Sequence, residues 1–138
     1  MKVYVSGQVS DIENVQQVQK RLVDAGHEVT HDWTLGELGD TRIETREDKL
    51  QNQVEAGRRA EKDIKGVVDA DVVVVCTDNQ VRGAGMYVEL GAALAQKRLT
   101  GKPSIFTIGS RNHLSIFYLH PDVQHVDSIE ELIINMSL

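Results

Sequence analysis

Apolar positions along the chain alternate between two periods. Lys2–Ser6 is a short β-rich run closed by Gly7. Val15, Val18, Leu22 and Ala25 then recur at helical spacing until Gly26 ends the stripe. A second strand is predicted over 28–32 and a third over 71–76, where four consecutive valines are what a strand covered on both faces requires. Between them Leu50, Val54, Gly57, Ala60, Ile64 and Val67 return every three or four residues, which predicts one long helix. An alanine-rich helix is predicted over 85–99. After the break at Gly101-Lys102-Pro103, a strand follows over 104–108. Near the end, a short strand around His125 and Val126 precedes a helix announced by the capping pair Ser128 and Glu131.

Strands that alternate with helices predict an α/β fold. The sheet should be mostly parallel with about five strands, with right-handed crossovers and helices on both faces. Ligands in such folds bind at the carboxyl ends of the strands. The 138 residues fit one domain spanning 1–138, and the polar stretch 34–47 reads as its most loop-like part, a candidate flap.

Composition narrows the function classes. Cys76 is the sole cysteine, so no disulfide is expected and the residue reads as a thiol buried in a strand. The longest apolar run is too short for a bilayer and the first residues do not read as a signal peptide, which makes the cytoplasm the expected location. A net charge of −6, with scattered Lys and Arg, argues against nucleic-acid polymers and anionic membranes as partners. A small-molecule ligand is expected instead. The histidines at 27, 31, 113, 120 and 125 lack metal-ligand spacing, and neither a Gly-x-Ser-x-Gly elbow nor a Walker loop is present. No metal and no cofactor are predicted.

Three strand ends should converge on one crevice: Ser6-Gly7, then His31-Asp32-Trp33, then the segment leading through Gly83-Ala84-Gly85 into a helix that carries Glu89 near its start. There the helix dipole favours a carboxylate, and glycines let a ligand approach the backbone. A carboxylate at a helix start is common, and a lone Gly-x-Gly is a weak signal. Asp63 by itself reads as a solvated helix-face charge. Tyr4, alternating with Val3 and Val5, points to the opposite sheet face, where its hydroxyl reaches toward the crevice.

Taken together, Val3-Tyr4-Val5-Ser6-Gly7, Ala25-Gly26-His27-Glu28-Val29, Asp63, the valine strand and Gly85-Met86-Tyr87-Val88-Glu89-Leu90-Gly91-Ala92-Ala93-Leu94-Ala95 resemble the nucleoside 2-deoxyribosyltransferase family. That family also holds 2′-deoxynucleoside 5′-phosphate N-hydrolases and cytidylate N-glycosidases. The most specific part is Gly-x-x-x-Glu-Leu-Gly-x-Ala-x-Ala, with an aspartate 26 residues before the glutamate.

The resemblance implies a single Rossmann-like domain that cleaves the N-glycosidic bond of a 2′-deoxynucleoside and passes the sugar to another base or to water. It implies Glu89 as nucleophile, Tyr4 as the residue that orients it, and Asp63 as the acid beside the leaving base. Ser6, Gly7, Trp33, Gly83 and Gly85 are expected to contact substrate. A homo-oligomer is implied, with Asn112 or Ser115 of the 111–117 segment completing the neighbour's pocket and Ile116, Phe117 and Tyr118 forming an exposed contact. The loop Gln8-Val9-Ser10-Asp11 lacks the arginine of phosphate-binding relatives, so a 5′-phosphate is the less natural ligand. Two other functions compete: a nucleotide-binding module without turnover, and an N-glycosidase for ribonucleotides or NAD-like dinucleotides.

Overall fold

A computed structural model describes residues 1–39, 41–78 and 85–138. Five parallel strands form one sheet in the order β2-β1-β3-β4-β5: β1 Lys2–Ser6, β2 Glu28–Val29, β3 Val72–Cys76, β4 Ser104–Ile108 and β5 Val123–Val126. Helices α1 Ile12–Asp24 and α6 Ile129–Met136 cover one face. Helices α4 Gln53–Val68 and α5 Gly85–Thr100 cover the other. The α/β fold with helices on both faces is the one the alternation of periods predicts. Among the described residues no helix is long and apolar enough to cross a membrane.

Alternation along β1 sorts the core. Val3 and Val5 pack with Val15, Val18, Leu22 and Leu132 on the α1/α6 side. Tyr4 points the other way, into the layer of Val73, Val75, Val67, Met86 and Leu90. Every residue of β3 is buried, and Cys76, a free thiol, is buried with it. Burial pushes that thiol's pKa up.

Three local expectations fail, each for a physical reason. The second strand pairs with β1 only over Glu28 and Val29 rather than over 28–32. Beyond it, side chains anchor the segment: the Thr30 hydroxyl donates to the Gly66 carbonyl at 2.7 Å, and Gln19 and the Thr34 amide donate to Asp32 at 3.1 and 3.0 Å. The single long helix is two, α3 Arg46–Gln51 and α4, separated at Asn52, whose φ and ψ of −128° and 40° are not helical. Its apolar stripe enters the core only at Val67: Leu50, Val54 and Ile64 are exposed, and of α4 only Gly66 and Val67 are buried. The stretch read as loop, 34–47, contains a helical turn, α2 Thr34–Glu37, and the start of α3, where Thr45 and Asp48 form a capping box.

Candidate active site

The predicted strand ends do converge. A cavity of about 450 Å³ opens between the turn after β1, the segment after β2, α4 and the start of α5, lined by Gly7, Gln8, Val9, Ser10, Trp33, Glu37, Asp63, Gly85, Met86 and Glu89. That volume falls within the roughly 300–1,000 Å³ of small-molecule sites.

Glu89 sits in the second turn of α5 with 8% of its surface exposed. Both carboxylate oxygens accept hydrogen bonds from β1. Tyr4 Oη donates to Oε2 and Ser6 Oγ donates to Oε1 at 2.9 Å. The i, i+2 spacing of Tyr4 and Ser6 makes this possible, since alternate strand residues share a face. Desolvation raises the Glu89 pKa to about 7, with the Asp63 charge adding to the rise and the two hydroxyl donors opposing it. Burial, and then the negative charges of Glu89 and Asp63, push the Tyr4 phenol well above its ordinary range, so it remains a donor.

Asp63 projects from α4 into the same cavity. Its pKa is also raised, by desolvation first and with a smaller push from Glu37, while the nearby His31 pulls it down. His31 Nε2 lies 3.3 Å from Asp63 Oδ1. A second cavity of about 410 Å³ adjoins the first and shares Trp33, Glu37 and Asp63 with it. Trp33 is fixed by its indole N–H, which donates to the Val5 carbonyl at 2.8 Å. Gly7 permits the close turn into α1, because a Cβ there would fall 2.4 Å from Val15 Cγ2.

Tyr4, Asp63, Glu89, Gly7, Trp33 and Gly85 are therefore brought together around one cavity. Ser6 belongs to the site differently from expectation: it is fully buried, and its hydroxyl is committed to Glu89 rather than lining the cavity. Gly83 lies outside the described residues. Asn112 and Ser115 do not line this chain's cavity, and the Ser115 hydroxyl accepts from the Phe117 amide at 3.2 Å to start the 3-10 turn Ile116–Leu119. Tyr118 is not part of an exposed cluster; it is buried and stacks on Tyr87 of α5 with ring centroids 5.8 Å apart.

Sequence reasoning missed His31 as the partner of Asp63 and Glu37 as a wall of both cavities. The position of His31 at the carboxyl end of the second predicted strand was the available signal. Glu37 was marked only as part of the candidate flap 34–47.

The cavity is lined by two carboxyl groups, Glu89, buried and held by two hydroxyl donors, and Asp63, both with raised pKa values. No protein-family profile matches the chain, and no curated protein matches it in sequence. Among solved structures, the CMP N-glycosidase BcmB of Clostridium botulinum is similar over 100% of both chains, with a TM-score of 0.60 and 12% identity. At that identity the likeness establishes a shared fold.

Proposed function

We propose that this chain is an enzyme that cleaves the N-glycosidic bond of a nucleoside or nucleotide, with Glu89 as nucleophile. The observation that carries the reading is the buried Glu89 held by Tyr4 and Ser6 on the wall of a cavity that Asp63 also lines. Breaking the bond between sugar and base builds positive charge at the anomeric carbon. A facing carboxylate stabilises that charge and traps the sugar as a covalent ester. The step requires Glu89 ionised and the proton held on Asp63, which gives it to the departing base that would otherwise leave as an anion. Trp33 offers the base a flat apolar wall, and Gly7 and Gly85 let the sugar approach the backbone. The fold shared with a CMP N-glycosidase supports the bond type.

Our first reading of the substrate is a 2′-deoxynucleoside, with the sugar passed to another base or to water. The neighbour's name favours a second, hydrolysis of a ribonucleoside 5′-monophosphate. Residues 7–10 and the start of α5 line the cavity together, and that is where a 5′-phosphate of such a substrate would have to be held.

One chromatographic panel separates these readings. The purified protein is incubated with ribo- and deoxyribonucleosides and their 5′-monophosphates, with and without a second free base, beside a Glu89→Gln variant. Base exchange identifies a transferase, and release that ignores the added base identifies a hydrolase. The variant should lose on the order of a thousandfold or more in turnover. Equal turnover by the variant would remove Glu89 from the mechanism, and a silent panel from folded wild-type protein would favour binding without turnover.

The active form is a homo-oligomer in this reading. Val88 and Leu99 share one outer face of α5. Val54, Ile64 and Val68 on α4, and Ile116 and Phe117 beyond β4, add exposed apolar surface. Surface of this kind supports a subunit contact, and it would carry Asn112 or Ser115 toward the neighbour's cavity. Light scattering of the wild type and of a Val54→Glu, Leu99→Glu double variant tests this: a dimer or larger is expected for the first and a monomer for the second.

A further inference from the structure

We propose that His31 is a positioning residue for Asp63, donating its Nε2–H to Oδ1 so that Oδ2 carries the proton given to the leaving base. This rests on the glycosidase reading above. Asp63 borders both cavities, whereas His31 borders only the second, so the imidazole meets the carboxyl from the side away from Glu89. The contact is 3.3 Å, and both side chains are largely buried, with 27% and 34% of their surface exposed.

Both flanks of His31 are fastened to different parts of the fold. Thr30 donates to the carbonyl of Gly66 on α4, Asp32 accepts from Gln19 on α1, and Trp33 donates to Val5 on β1. Gly66 follows Asp63 by three residues and so lies on the same face of α4. A Cβ at Gly66 would fall 2.9 Å from His31 Cβ and 2.8 Å from Tyr4 Cδ2. One glycine thus seats the residue that orients Glu89 and the residue that meets Asp63. The other charged groups are Asp32, Glu37, Glu55, Arg58, Arg59 and Lys62 around the second cavity, and Glu37 and Glu89 around the first. Arg59 donates to Glu55 and to the Thr41 carbonyl, which leaves His31 as the donor within 4 Å of the Asp63 carboxyl among the described ion pairs.

The proton balance closes without another reagent. As the bond from the anomeric carbon to the base nitrogen breaks, its electron pair goes to the base and the Asp63 proton follows. The new carboxylate then faces the His31 N–H. When water attacks the sugar esterified to Glu89, its proton returns to Asp63, and Glu89 leaves as a carboxylate.

The test compares two leaving groups on the same sugar: a natural base, which needs a proton, and 4-nitrophenolate, which departs without one. Wild type, His31→Gln, His31→Ala and Glu89→Gln are assayed on both. Both His31 variants keep the Cβ that packs on Gly66. On the natural substrate His31→Ala should lose about 10–100-fold in kcat with KM nearly constant, and His31→Gln, which retains an N–H donor, should recover part of that loss. On the nitrophenyl glycoside the His31 variants should lose far less, while Glu89→Gln loses activity on both. Equal losses of His31→Ala on the two substrates, or none on either, would overturn the positioning role while leaving Glu89 in place. A wild type silent on both, or an active Glu89→Gln, would overturn the glycosidase reading and this inference with it.

Discussion

The two faces of the sheet are built to different specifications. On the α1/α6 face, Val3, Val5, Val15, Leu22, Phe106 and Leu132 interlock in an apolar cluster, and the polar side chain that α1 buries beside it, Gln19, is spent on a hydrogen bond to Asp32. On the α4/α5 face the inner layer includes a tyrosine hydroxyl and a buried glutamate beside Val73 and Leu90, and the outer layer leaves Val54, Val88 and Leu99 in solvent. The first face stabilises the fold. The second gives up apolar packing for a buried carboxyl group with a raised pKa, the cost expected if it is the reactive site proposed above.

That contrast breaks most visibly in the closed face. Leu22 is fully buried, so Leu22→Ala should cost about 2–5 kcal/mol of stability in a urea titration. The remaining folded protein should keep its turnover per molecule.

On the α4/α5 face the cost of burying Glu89 depends on pH. The folded-state pKa of Glu89 is raised above the 4.5 of a free glutamate to about 7. Its burial therefore costs nothing while both states are protonated below pH 4.5. The penalty grows as pH rises and is complete above about 7, at on the order of 3 kcal/mol. Glu89→Gln should be more stable than wild type at pH 8 and nearly equal to it at pH 4. A urea midpoint that stays below wild type at both pH values would contradict this account of the burial penalty.

Tyr4→Phe sharpens the same point at smaller scale. Losing one buried hydrogen bond to a carboxylate costs about 1.5–3 kcal/mol, or roughly 10–100-fold in turnover. Because the Tyr4 bond lowers the Glu89 pKa, its loss should also move the acid limb of the rate profile to higher pH. Smallest of all, Leu99→Ser on the outer face should change monomer stability by less than about 0.5 kcal/mol, since Leu99 is 82% exposed, and should act on assembly instead.

Much of the reactive face was legible in the sequence because its signals are local. Alternation alone sends Tyr4 away from Val3 and Val5, the four valines mark a central strand, and Glu89 follows β3 at the start of the next helix. What was hidden depends on which elements meet. Leu50, Val54 and Ile64 have the spacing of a core stripe, but spacing does not say whether a helix stripe faces the sheet or the solvent, and here it faces solvent until it reaches Val67. The break at Asn52, where the side-chain amide donates to the Asp48 carbonyl at 2.7 Å, leaves no mark on the apolar period. The meeting of His31 with Asp63 joins residues 32 apart through the anchoring of Thr30 on Gly66, and no periodicity carries that information.

The central claim is that Glu89 attacks the sugar, and mass spectrometry of acid-quenched enzyme during turnover tests it most directly. The account predicts a protein species heavier by one sugar, or one sugar phosphate, mapped by proteolysis to the peptide containing Glu89 and missing in Glu89→Gln. Base release that proceeds with no adduct under rapid quench, or with an adduct on another residue, would contradict it.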